Sequence, residues 1–213
     1  SMRNVLIATV GGSPHPIINA IKQGQPDFVY FICSGGERTP SWKTIENQTS
    51  HQIRGACPNC SQDFTRTLKS PSIAESAGLT PDSFEIVIAE DPDSFDDVVG
   101  PLKKVSNALS QSEGAASDTV HANYTGGTKT MSAAMVSYKL LFEPTWQLEV
   151  NVAERTDLVK ITRGDISTPA SLNSLLWERT LSKARQELEL HQYTVAADAI
   201  STTQREIGRP HDG

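Results

Sequence analysis

The chain has 213 residues, 37% of them hydrophobic and 21% charged, and a formal net charge of −6 at pH 7. That length suits one sizeable α/β domain with a smaller appendage, and the composition is that of a soluble globular protein. The acidic balance argues against coating long nucleic acid, which needs a dominant basic face, and no apolar run approaches the roughly 20 residues that span a bilayer.

Ser1 ahead of Met2 reads as a cleavage remnant, with Met2 the expected natural start, and the chain passes directly into the strand-like VLIATV without a secretion signal. Val5 to Val10 is a continuous apolar run, the pattern of a strand buried on both faces. GGSPHP follows, then a short helix carrying Ile17, Ile18 and Ile21 and closed by Gly24. Phe28 to Cys33 is a second buried strand, ending in Ser34, Gly35 and Gly36. Strand, helix and strand within about 30 residues make a parallel sheet the economical reading.

Residues 37–81 are polar and irregular and are expected to form an insertion with one or two short helices. Cys57-Pro58-Asn59-Cys60 has the spacing of half a zinc ribbon. His51 and Cys33 could complete a site, or a dimer could share the metal. Without a second CxxC, two reduced thiols are the favoured expectation, structural zinc is not, and no cofactor is required. Three cysteines and no secretion signal fit a reducing cytoplasm.

Phe84 to Ala89 is a third strand, and Ser94 with Asp97 fits a capping box ahead of a helix through Val98, Leu102, Val105 and Leu109. Asp91, Asp93, Asp96 and Asp97 resemble a magnesium cluster, but their place at a helix start favours capping. Thr119 to Tyr124 is a fourth strand and Lys129 to Phe142 a helix; Trp146–Val152 and Leu158–Ile161 read as closing antiparallel strands. Beyond Pro169, an amphipathic helix is marked by Leu172, Leu175, Leu176, Leu181, Ala184 and Leu188, and a second helix follows. Trp42, Trp146 and Trp177 are read as core or interface residues. The polar end GRPHDG reads as a boundary with further protein expected beyond it. The expected fold is α/β: a Rossmann-like, mainly parallel sheet with flanking helices over 2–168, then a helical hairpin over 169–213. That hairpin is either a dimerisation element or the start of an effector domain.

In such a sheet, ligands bind beyond the C-terminal strand ends, where helix N-termini present free N–H groups. Three loops on that edge are rich in Gly, Ser and Thr: Thr9-Val10-Gly11-Gly12-Ser13-Pro14-His15, Ser34-Gly35-Gly36, and Thr125-Gly126-Gly127-Thr128-Lys129-Thr130. Read singly, each is an ordinary turn; three on one edge point to a ligand with phosphates or polar edges. Glycines allow close approach and hydroxyls donate, while Lys129 would meet an anion together with the helix dipole. A Walker A loop is excluded, because Thr128 precedes Lys129 and Asn123 holds the upstream glycine position. The dinucleotide fingerprint GxGxxG also fails.

The strand followed by GGSPHP, with Asn123-Tyr124-Thr125-Gly126-Gly127-Thr128-Lys129-Thr130-Met131 at a later strand end, resembles the CARF domains, CRISPR-associated Rossmann-fold sensors. It looks closest to the Cas02710 family, and the likeness covers roughly residues 3–165, with the helical segment after it also similar. The resemblance implies a cytoplasmic homodimer that binds a cyclic oligoadenylate, cyclic tetra-adenylate foremost, across its twofold axis in type III CRISPR antiviral signalling. It implies neither long nucleic acid nor membrane as partner of this domain. The implied ligand-binding residues are Thr9, Gly11, Gly12, Ser13, Pro14, His15, Ser34, Gly35, Asn123, Thr125, Gly126, Gly127, Thr128, Lys129 and Met131. A twofold axis would present every contact twice.

Some CARF proteins also cleave the ring, and a stand-alone ring nuclease is the rival reading. Cleavage would need no metal: a ribose 2′-hydroxyl attacks the adjacent phosphate and leaves a cyclic phosphate end. The catalytic candidates are Lys129 for charge on the phosphorane, Ser13 for positioning and His15 for proton transfer. A third reading is a nucleotide or sugar-phosphate binder using the same loops.

Overall fold

The computed structural model describes residues 2–36, 40–56, 59–60, 62–112, 117–152 and 165–209. β1 (Asn4–Val10) and β2 (Phe28–Ser34) are buried along nearly their whole length, as continuous Val, Ile and Phe runs require of strands covered on both faces. Between them runs α1 (His15–Gly24), with Ile17, Ile18, Ala20 and Ile21 buried. Gly24, expected to close this helix, is still helical; Gln25 adopts the left-handed cap at φ 45° and returns its N–H to the Ile21 carbonyl.

The expected insertion contains its two short helices, α2 (Lys43–Glu46) and α3 (Ile73–Ala77). It also contains an antiparallel ribbon that sequence reading missed, β3 (Thr49–Ala56) paired with β4 (Asp63–Ser70). This ribbon forms a separate two-stranded sheet. Cys57 lies outside the described residues.

β5 (Phe84–Ala89) pairs parallel with β2, and α4 (Phe95–Gln111) follows, its Ser94 cap accepting the Asp97 N–H and its Val98, Leu102, Val105 and Leu109 buried. β6 (Thr119–Asn123) returns to the far side of β1, α5 (Lys129–Phe142) leads out of it, and β7 (Gln147–Val152) pairs parallel with β6. The antiparallel partner of β7 is β8 (Ile166–Pro169); the expected strand Leu158–Ile161 lies outside the described residues. The six strands run β5-β2-β1-β6-β7-β8. Strand order therefore reverses between β1 and β6, the switch point where open α/β sheets bind ligands.

On one face, Leu6, Ala8, Val10, Val29, Phe31 and Cys33 form an apolar core with α1, Ile45 and Ile73. Burial there raises the Cys33 thiol to about 12. Helices α4 and α5 pack on each other and against β5, β2 and β1.

Contacts divide the chain into Ser1–Pro169 and Ala170–Gly213. The second unit is α6 (Asn173–Glu189) and α7 (Tyr193–Ile207). Of the expected stripe, Ala184 is buried and Leu172, Leu176 and Leu181 are half-buried, whereas Leu175 and Leu188 are exposed; Trp177 and Thr180 complete the buried line. The Thr180 and Thr203 hydroxyls meet at 2.6 Å, and the Trp177 indole donates to the Gly208 carbonyl. Among the described residues, no helix is long and apolar enough to cross a membrane.

Candidate functional site

The loops after β1 and β6, which flank the switch point, are locked to each other. Thr9 Oγ donates to the Gly126 carbonyl at 2.6 Å. A Cβ on Gly126 would overlap the Thr9 carbonyl oxygen, and one on Gly11 would come within 2.7 Å of the Gly127 nitrogen. Gly11 and Gly126 are thus needed for loop to approach loop, a role that sequence reading gave to ligand approach.

This contact divides the crevice into two cavities that share Gly11, Gly12 and Gly127. The larger, about 920 Å³, opens toward β2 and β5 and takes in Ser34, Gly35, Thr128 and Met131 from the expected set, with Ser41, Lys43, Glu90 and Asp91 besides. The smaller, about 270 Å³, opens toward β7 and β8 and adds Ser13, Thr125 and Gly126, together with Pro16, Asn151 and Asp165.

Thr9 and Asn123, expected to contact ligand, are instead buried and brace the loops. Pro14 is the N-cap of α1. His15 and Lys129 are the exposed first residues of α1 and α5, and neither is among the described residues lining these two cavities. Thr128 caps α5 by accepting the Met131 N–H and donates to the Pro92 carbonyl at 2.6 Å, so its hydroxyl is already engaged. Ser34 is likewise committed, its backbone and hydroxyl exchanging hydrogen bonds with Ser41 at 2.8–3.0 Å.

The helix starts differ in charge. α1 has no side-chain cap, and neither α1 nor α5 has an acidic residue in its first turn. The first turns of α3 and α4 carry Glu75 and the pair Asp96 and Asp97. The acid-free start is shared by α6 and α7, which lie in the second unit. At α4 the acidic cluster is spent locally, Asp97 accepting the Asp91 N–H and Asp91 the Asp93 N–H.

Sequence reading also missed a polar layer. Register places His121 and Asn123 beside Leu6 and Ala8 on one face, followed by Glu149 and Asn151 and then Ser167. The face that is apolar across β2 and β1 becomes hydrogen-bonded across β6, β7 and β8. His121 donates to Glu149 at 2.6 Å, and Ser167 donates to the other Glu149 oxygen at 2.9 Å. Burial alone would raise the Glu149 carboxyl, but the hydrogen bonds from His121 and Ser167, with the His121 charge, bring it below its ordinary value.

Asn123 fills all four of its amide valences: it donates to Asn151 at 2.8 Å and Ser167 at 3.0 Å, and accepts the Thr125 N–H at 3.1 Å and hydroxyl at 2.7 Å. Asn151 donates onward to the Pro16 carbonyl at 2.7 Å and Asp165 at 2.6 Å, and its N–H meets Thr125 Oγ at 2.7 Å. The available signal was QLEVNV, where polar residues alternate through a strand paired parallel to its neighbour. Of the cysteines considered for zinc, Cys33 is buried and Cys60 exposed. Among the described residues, no group of three His, Cys, Asp or Glu side chains is placed to hold a metal.

No protein-family model matches this chain, and no curated protein matches it. Among solved structures, Enterococcus italicus Csm6 bound to cyclic hexa-2′-fluoro-hexa-dAMP aligns over 96% of this chain and 51% of its own, at TM-score 0.65 and 8% identity. Two others are too distant in backbone to argue from. A type III CRISPR defence DNA nuclease activated by cyclic oligoadenylate covers 100% of this chain and 31% of its own, at TM-score 0.44 and 13% identity. Protein VC1899 from Vibrio cholerae covers 95% and 51%, at TM-score 0.45 and 12% identity. The chain spans about half the length of the Csm6 it resembles. At that identity the likeness is one of fold, and the fold is the α/β architecture of that Csm6.

Proposed function

We propose that this chain is a CARF-type sensor that binds a cyclic oligoadenylate, cyclic tetra-adenylate foremost, and acts as a cytoplasmic homodimer in type III CRISPR signalling. In this reading residues 2–168 sense the ring, and 169–213 either stabilise the dimer or lead into an effector. The observation that carries it is the pair of interlocked glycine loops at the switch point, with a cavity on each side. Two cavities sharing one glycine wall suit a ligand that presents different chemical parts in alternation, as a nucleotide chain does. Anionic phosphates suit the acid-free helix starts and Lys43 on the larger cavity. The fold match is to a protein bound to a cyclic nucleotide hexamer, which supports the same ligand class.

The rival reading, a stand-alone ring nuclease, would draw on Ser13, which lines the smaller cavity, with His15 and Lys129 exposed at the starts of α1 and α5. The test is a metal-free incubation with cyclic tri-, tetra- and hexa-adenylate, read by mass spectrometry with binding followed in parallel. A ring bound and recovered intact is the expected result. Linear products lost on Ser13→Ala would establish the nuclease instead.

A further inference from the structure

We propose that Ser167 is a positioning residue for the ring site: acting through Asn123, it fixes the Thr125–Gly127 loop, and Glu149 behind it sets the direction of the hydrogen bonds between them. This rests on the sensor reading above and adds a residue that no glycine-loop pattern includes. Ser167 lies on β8 and is not among the described residues lining either cavity, so its effect on a ligand passes through its neighbours.

The relay starts and ends on groups whose roles are fixed. At one end the Thr125 N–H, which can only donate, meets Asn123 Oδ1 at 3.1 Å. That contact turns the Asn123 carbonyl toward the loop and its NH2 group toward Asn151 Oδ1 at 2.8 Å and Ser167 Oγ at 3.0 Å. A hydroxyl has one proton, and Ser167 gives its own to Glu149 Oε2 at 2.9 Å. At the other end the Glu149 carboxylate only accepts, and His121 meets its second oxygen at 2.6 Å. A second fixed donor, the Asn151 N–H, reaches Thr125 Oγ at 2.7 Å, which sends the threonine proton to Asn123 Oδ1, also at 2.7 Å. Each bond from Thr125 to Glu149 therefore runs one way, and reversing the Asn123 amide would set donor against donor.

The far end of this relay is the wall of the site. Thr125, Gly126 and Gly127 border the smaller cavity, and Gly127 the larger as well. Thr9 holds that loop at the Gly126 carbonyl, and the relay holds it at Thr125. Asn123 is only 4% exposed, so water does not readily replace a lost partner. Deleting the Ser167 hydroxyl removes one of the two acceptors on the Asn123 NH2 group and loosens the loop at its Thr125 end.

The test measures affinity for whichever of cyclic tri-, tetra- and hexa-adenylate the wild-type protein binds, in Ser167→Ala, Ser167→Thr and Thr168→Val. Thr168, the next residue of β8, donates its hydroxyl to the Val150 carbonyl at 3.0 Å, so Thr168→Val deletes a comparable bond outside the relay. Ser167→Ala is expected to weaken binding about threefold to tenfold, the range of one net hydrogen bond. Ser167→Thr, which keeps the hydroxyl, and Thr168→Val are expected to stay within about twofold of wild type. A merely structural role would lower affinity in Ser167→Ala and Thr168→Val alike. Should Ser167→Ala fail to fold, Ser167→Cys, whose thiol is a weak donor and acceptor, replaces it under the same criteria. Unchanged affinity in the folded variant, no recovery in Ser167→Thr, or an equal loss in Thr168→Val overturns the inference and leaves the sensor reading standing. Binding of no ring by the wild-type protein overturns both.

Discussion

Thr9 and Gly126, 117 positions apart, are joined by a 2.6 Å hydrogen bond from the threonine hydroxyl to the glycine carbonyl. The Thr9 carbonyl in turn occupies the space a Gly126 side chain would need. The two loops at the switch point therefore behave as one rigid wall. Any ligand at this edge meets a fixed partition, with the larger cavity on one side and the polar layer of β6 to β8 on the other.

Gly126→Ala should force the two backbones apart. The expected cost is about 1–3 kcal/mol of stability, as for overpacking, with loss of ring binding. Gly12 borders both cavities, and a Cβ there would meet nothing within 4 Å. Gly12→Ala should change stability by less than about 0.5 kcal/mol. Urea unfolding of both variants separates a packing role from a ligand role.

Asn151→Ala should be among the most damaging single changes in the sheet. It strands the Asn123 amide, the Pro16 carbonyl and Asp165 together, at a cost of about 2–4 kcal/mol for several buried groups left unpaired. Thermal unfolding followed by circular dichroism measures it. A loss of only a few tenths would mean that the polar layer contributes little.

The Glu149 carboxyl lies below its ordinary value in the folded protein: burial pushes it up, but hydrogen bonds from His121 and Ser167 outweigh that. A depressed folded value contributes stability that is complete above the ordinary carboxylate range and is lost as pH falls through the folded value. Glu149→Gln should therefore cost on the order of 1 kcal/mol at about pH 7, and its gap from wild type should close toward about pH 3. Unfolding midpoints across that range check the sign, and a gap that widens on acidification would contradict it.

Lys129 is exposed at the first position of α5 and is not among the described residues lining either cavity, whereas Lys43 lines the larger one. Lys129→Ala should leave stability within about 0.5 kcal/mol and weaken ring binding severalfold, an effect that fades at high salt. Lys43→Ala, also exposed but on the larger cavity, should weaken binding more. Affinities of the two variants measured side by side check that order.

Much of the fold was legible because β1, β2 and β5 are short apolar runs, and the Ser94 cap with its helical spacing marks α4 unambiguously. The ribbon of β3 and β4 was not, since TSHQIRGA and DFTRTLKS hold few apolar residues and pair only with each other. At the site, the glycine loops could be read as a group, but the division of labour within them could not. Thr9 and Asn123 sit beside ligand-like glycines in sequence, and only pairing across 117 and 28 positions reveals that their polar groups are consumed internally. Asp165 carried no local signal, because what singles it out is burial against α1 and the smaller cavity.

The most direct test of the central claim is a calorimetric titration of the purified protein with cyclic tetra-adenylate, alongside the tri- and hexa-adenylate rings and AMP. The account predicts saturable binding of one ring per two chains at roughly micromolar affinity or tighter, with AMP far weaker. No heat with any ring, or AMP binding as tightly as the rings, would contradict it and leave the twin cavities to a different phosphate ligand.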